Sequence, residues 1–339
     1  MNKKTASKVL MILLAVVVFG FIIYKTDWAA TKDAISGANY GLVLLGALIM
    51  TISHYLRGYR WSILGKSAGY PLNKRRAFYS VMSGYLVNAA TSRGGEVARC
   101  ALTSKSEKAP VETLIGTVIT ERIIDLITMI IMALLALAIQ FNVLWSFAYD
   151  FVLEPLVQNW QWITLFVVGA ALSFFLIKRF RPKKEKSADG FLSKFLSGLN
   201  SFFDIPNKGP FILVSFGIWL GYWLSLYLQL EALQITEHMN IANALAILMF
   251  SSLGIIIPVP GGAGVWYSIA YGLQMVYGFS ESNAATFGIF TVAFSNIFHV
   301  LLGGISYALL FFEVQRLDPP QDDGENLEQR ETRITSSES

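Results

Sequence analysis

The chain predicts an all-α polytopic membrane protein. About six full spans and two oppositely oriented re-entrant hairpins would form an inverted-repeat, transporter-like architecture. Three observations lead there. Hydrophobic residues make up 54% of the 339 and charged ones only 15%, with a mean hydropathy of +0.51, whereas soluble proteins carry about 25% charged residues. Two apolar stretches are broken by glycine in matching places, NAATSRGGEVAR (Asn88 to Arg99) and IIPVPGGAGVW (Ile256 to Trp266). Basic residues, finally, cluster beside apolar runs. Unpaired backbone groups cannot face lipid, so paired breaks point to a site lined by broken helices. The alternative is two hairpins that cross fully, giving eight or more spans.

The spans follow from runs near the roughly 20 apolar residues that a hydrocarbon core requires. The first is Val9 to Tyr24, read as uncleaved because no small-residue cleavage site follows it. The others are Gly41 to Leu56, Thr113 to Phe141, Trp162 to Ile177, Pro210 to Leu233 and Ala284 to Phe312. Phe78 to Ala90 and Ile241 to Tyr277 carry the glycine breaks.

Charge sets the orientation. Lys3, Lys4 and Lys8, the group Arg57, Arg60, Lys66, Lys74, Arg75 and Arg76, and the KRFRPKKEK run from Lys178 to Lys186 are read as cytoplasmic. Asn142 to Gln161 and Gln234 to Asn240 contain no Lys or Arg and are read as outer. Ala77 to Glu112 must then enter and leave from the inside, and Ile241 to Gly278 from the outside. Repeat one spans residues 41–141 and repeat two residues 210–312, with a basic amphipathic loop over 178–209. That loop is expected on the anionic cytoplasmic lipid surface. Residues 1–316 form the membrane domain, and 317–339 read as a disordered acidic cytoplasmic tail. Both termini are expected in the cytoplasm, and the setting is a bacterial-type cytoplasmic membrane.

Composition also excludes classes. One cysteine, Cys100, excludes an internal disulfide framework, and histidines scattered at 54, 238 and 299 do not form a metal motif. No cofactor is expected. A net charge of +4 placed beside apolar spans does not indicate nucleic acid.

Ionisable groups inside apolar segments need a partner or a purpose. Glu121 and Asp125 share a helical face, and Arg122 can reach Asp125 one turn on. They read either as a structural salt-bridge knot or as the lining of a polar cavity. Arg93 precedes Gly94 and Gly95, whose N–H groups at a helix start could join it in holding a phosphate oxygen. Arg99 and Arg122 are further candidates, with Glu96, Glu121 and Asp125 for charge balance or proton coupling. In the second break Pro258 and Pro260 stop one helix, and Gly261, Gly262 and Gly264 let the chain turn. Asn296 and His299 are polar neighbours one turn apart, Asn88 is auxiliary, and Arg60 with Trp61 reads as an interfacial anchor.

These elements resemble the flippase-like membrane region of lysylphosphatidylglycerol synthases and its stand-alone relatives. The resemblance rests on Arg60-Trp61 with Leu64, Asn88 followed by Arg93, Gly95, Glu96 and Arg99, Glu121-Arg122 with Asp125, and Pro260-Gly261-Gly262 with Gly264-Val265. It covers roughly residues 40 to 312. It implies a lipid translocase rather than an enzyme. The soluble aminoacyltransferase domain of the full-length synthases is not expected, which leaves a separate lipid-modifying enzyme as a partner. Thr91 stands where the family often has Pro, and Tyr267 where it often has Glu. The second departure argues against a cationic headgroup. The leading expectation is movement of a phospholipid or polyprenyl-phosphate-linked lipid between leaflets. A membrane enzyme using Asp125 or Glu121 as general base, or a non-transporting scaffold subunit, are the alternatives.

Overall fold

The computed structural model describes residues 28–91, 94–161, 190–255 and 262–317, with isolated positions between 164 and 175. The first and most of the fourth expected spans, the basic run, the acidic tail, Arg93, Pro258, Pro260 and Gly261 lie outside the described residues. No strand occurs among those described. The helices are α1 (Trp28–Ser36), α2 (Tyr40–Ser67), α3 (Lys74–Ala90), α4 (Gly95–Glu107), α5 (Val111–Ile139), α6 (Phe141–Ala148), α7 (Glu154–Gln158), α8 (Phe191–Asn200), α9 (Lys208–Ala232), α10 (Ile241–Gly254), α11 (Ala263–Tyr277) and α12 (Glu281–Leu317).

Four of them, α2, α5, α9 and α12, are long and apolar enough to cross a membrane. Large apolar side chains such as Leu44, Ile130, Leu134, Leu213 and Leu301 stay more than 55% or close to 50% exposed on their outer faces. Such a belt is a liability in water and natural in lipid. The chain is an integral membrane protein. One expectation is corrected here: the second span does not end at Leu56, because α2 continues to Ser67. Arg57 and Arg60 therefore sit within a helix instead of a loop. Lys66, Lys74 and Arg75 remain exposed at the same end.

Four of the helices start for the same local reason. Asn39, Asn73, Asn207 and Asn240 cap α2, α3, α9 and α10, each side chain accepting from backbone N–H groups of the first turn. Asn207 follows Asn39 by 168 residues and Asn240 follows Asn73 by 167. The packing repeats with the caps. α2 packs on α9, α3 on α12, and α10 on α5. In each half the long helix is followed by an antiparallel pair of short ones, α3 with α4 and α10 with α11.

Glycine zips both short pairs. A Cβ on Gly95 would collide with the carbonyl oxygen of Gly84, and one on Gly254 would meet the Gly264 carbonyl oxygen. Without side chains at these points the backbones close to direct contact. At the open end of the first pair, Arg76 Nε donates to Glu107 Oε1 at 2.7 Å, and Asn73 N donates to the same oxygen at 3.2 Å. The second pair is clamped by Gln140, just past α5. Gln140 Oε1 accepts from Asn243 Nδ2 and from Tyr277 Oη, both at 2.9 Å, and its Nε2 donates to Ala242 O at 2.7 Å. α5 begins beside the first clamp and ends at the second. With 29 residues it is about 43 Å long, so the two pairs open at opposite ends of the molecule.

α2 and α9 approach closely through small residues. Gly221 admits the Ser53 side chain, and Ser225 Oγ donates to Gly46 O at 3.0 Å. The amphipathic segment after residue 190 docks α8 on α5, with Gly198 against Thr113 and Gly116, and with Thr120 Oγ1 donating to Leu199 O at 2.8 Å.

Candidate functional site

The periodicity of a helix brings Arg57 and Arg60 of α2 onto one face, one turn apart. Opposite them on α5, Glu121 and Asp125 share a face at i, i+4. Arg57 Nη2 donates to Asp125 Oδ2 at 2.8 Å. Arg60 Nη2 lies 2.7 Å from Asp125 Oδ1 and 3.2 Å from Glu121 Oε1. From α4, Arg99 Nη2 donates to Glu121 Oε2 at 2.6 Å. Arg60 and Glu121 are fully buried, and Arg57, Arg99 and Asp125 nearly so. Three guanidinium groups thus face two carboxylates.

Trp61 floors this cluster. Its Nε1 donates to Thr117 Oγ1 at 2.9 Å, and the Arg99 guanidinium lies over its ring at 4.7 Å, a cation–π contact in a dry site. Arg60 and Trp61 are therefore not an interfacial anchor. Both are completely enclosed, because α2 runs on past Leu56 and places them between α5 and its neighbours.

One edge of the cluster opens. Arg122 Nη2 meets Glu96 Oε1 at 2.6 Å, and both side chains are more than 40% exposed. Arg122 reaches Asp125 only at 3.9 Å, so its main partner is Glu96 rather than the expected i+3 carboxylate. Glu96 sits on the first turn of α4, immediately after the glycine break.

The break itself differs from expectation. Gly94 N donates to Thr91 Oγ1 at 3.1 Å, and Gly95 N donates to Asn88 Oδ1 at 2.8 Å. These N–H groups are satisfied by the protein, so they are not open donors for a phosphate. Asn88 and Gly95 instead shape the turn between α3 and α4. In the second break Gly262 is left-handed, at φ +79°, directly before α11, a conformation that favours glycine. Gly264 serves the contact with Gly254. Trp266 Nε1 donates to Ala285 O at 3.1 Å, and Tyr267 is half exposed.

A second cluster was not foreseen. His54, one turn before Arg57 on α2, meets His299 of α12, with Nε2 to Nε2 at 3.2 Å. Tyr85 of α3 stacks on His299 at 4.5 Å between ring centres, and Tyr222 Oη of α9 lies 3.4 Å from His54 Nδ1. Asn296 lies one turn earlier on α12. Two of the three histidines that look scattered in sequence, His54 and His299, are joined by the packing of α3 on α12 and α2 on α9, while His238 stacks on Phe279. No group of three or more His, Cys, Asp or Glu suited to a metal occurs among the described residues.

The family model described as the lysylphosphatidylglycerol synthase TM region matches residues 8–303. A UPF0104 membrane protein of Methanothermobacter thermautotrophicus is 25% identical over 293 residues, covering 77% of this chain and 85% of the relative. The UPF0104 membrane protein MJ1595 of Methanocaldococcus jannaschii is 27% identical over 180 residues, covering 52% of this chain and 51% of that relative. No solved structure matches the chain significantly.

Proposed function

Because the chain belongs to the lysylphosphatidylglycerol synthase TM region family, we propose that it is a lipid translocase that moves a phosphate-bearing lipid between leaflets. The observation that carries this is the arginine-rich cluster, buried at Arg57, Arg60 and Arg99 and exposed where Arg122 and Glu96 meet the first glycine break. A site with one more cation than anion, placed within apolar helices, attracts an anionic headgroup. Arg57, Arg60 and Arg99 are occupied by Glu121 and Asp125 and hold the frame. Arg122, with Arg93 from the break, contacts the phosphate.

In this reading the short pairs are re-entrant hairpins. α3 has 17 residues and α10 has 14, about 25 and 21 Å, short of the roughly 30 Å core. Their opposed openings make the halves inverted repeats. Exposed Lys66, Lys74 and Arg75 support a cytoplasmic first opening, with both termini on that side by the positive-inside rule.

The test is leaflet sidedness of a fluorescent phosphatidylglycerol in proteoliposomes. Arg93→Ala and Arg122→Gln slow the exchange toward the protein-free rate. Equal rates for wild type and both variants would remove the assigned phosphate role. A wild-type rate no faster than empty vesicles favours a scaffold subunit. Turnover of lipid phosphate by the purified protein would favour an enzyme instead.

A further inference from the structure

Next to the arginine cluster, His54 and His299 share one hydrogen-bond position. Two neutral imidazoles with Nε2 atoms 3.2 Å apart require one to donate and the other to accept. If His54 donates there, its Nδ1 is left as an acceptor toward Tyr222 Oη. The row Tyr222, His54, His299 then runs from α9 through α2 to α12 and so joins both halves of the molecule. His54 is buried, while Tyr85, Tyr222 and His299 are only partly so, which leaves the row an edge where protons can enter.

The groups facing this pair define what an added proton meets. On α2 it is Arg57, and on α3 it is Tyr85, stacked on His299. On α9 it is Tyr222, and α12 adds apolar Phe298. Asp125 and Glu121 of α5 act through Arg57 and are already engaged by arginines. Neither imidazole has a carboxylate partner among the described residues. An imidazolium here would add charge beside a cluster that already holds an excess cation. An anionic phosphate at Arg122 removes that obstacle.

We propose that His54 and His299 form a proton-binding site whose occupancy is linked to an anionic lipid phosphate, so that proton and lipid cross together. This rests on the translocase reading above. Linkage is reciprocal: a bound phosphate strengthens proton binding, and a bound proton strengthens phosphate binding. Intramembrane histidines commonly serve such relays. Lipid would be carried from the acidic to the alkaline side.

The experiment uses the full chain in phosphatidylcholine vesicles, with fluorescent phosphatidylglycerol as probe and a pH dye in the lumen. For one proton per lipid, a gradient of about one pH unit biases the steady-state leaflet ratio about tenfold. His299→Gln abolishes the bias. Wild-type exchange with no bias and no lumenal pH change would overturn the proton linkage and leave the translocase reading intact. Absence of wild-type exchange would overturn the translocase reading and, with it, co-transport. Nitrogen-15 spectra of histidine in the wild-type protein give a check that needs no variant. More imidazolium at fixed pH after adding dihexanoyl phosphatidylglycerol supports the linkage, and an unchanged signal contradicts it.

Discussion

Glu121 receives two arginines in a place with no exposure at all. Its removal strands Arg60 and Arg99 as partly unpaired buried charges, which costs far more than the pair contributes. Glu121→Gln is expected to destabilise the protein by about 3–5 kcal/mol, read as a lowered thermal midpoint in detergent. Arg122→Gln should change stability by about 1 kcal/mol or less, since both partners are substantially exposed. A thermal scan of the two variants therefore separates frame from site. If Arg122→Gln melts as early as Glu121→Gln, the division of roles proposed for them is wrong. The sequence shows that Glu121, Arg122 and Asp125 are costly in an apolar helix. It does not show that Arg57, one turn from Arg60, turns inward as well, because an arginine at the end of an apolar run looks the same whether it faces solvent or a buried carboxylate.

Among elements, neighbouring glycines on α12 provide a direct comparison. A Cβ on Gly303 would meet Met82 O at 2.7 Å and Leu86 Cβ at 2.8 Å on α3, whereas one on Gly304 meets nothing. Gly303→Ala should cost about 1–3 kcal/mol through overpacking, while Gly304→Ala should be neutral or stabilise by up to about 1 kcal/mol. Gly95→Ala and Gly254→Ala should resemble Gly303→Ala, because each pushes the two arms of a short pair apart. Matched thermal melts decide this, and equal behaviour of Gly303→Ala and Gly304→Ala would contradict the close approach of α3 and α12. The glycine breaks are visible in the sequence at Gly94–Gly95 and Gly262–Gly264. Their partners Gly84, inside α3, and Gly254, the last residue of α10, are not, since only the facing backbone explains why each is glycine.

For the whole molecule, the opposed openings predict opposite labelling. A cysteine at Lys108, beside the first clamp, should react with impermeant maleimide only from the cytoplasmic side, and one at Ser282 only from outside. A cysteine at Ser92 should resist reagent added outside. Rapid labelling of Ser92→Cys from outside would mean that the first pair crosses fully, giving eight or more spans.

Hydropathy and charge were enough to establish a membrane protein and the two broken segments, since both properties are sums over local composition. The four asparagine caps likewise act within a single turn and can be read from sequence once the helices are placed. Tertiary structure decided the rest. It enclosed Arg60 and Trp61, assigned the Gly94 and Gly95 N–H groups to Thr91 and Asn88, and joined His54 to His299 across 245 residues. Each of these depends on which faces of α2, α3, α4, α5 and α12 meet, and a face acquires its partner only when the helices pack.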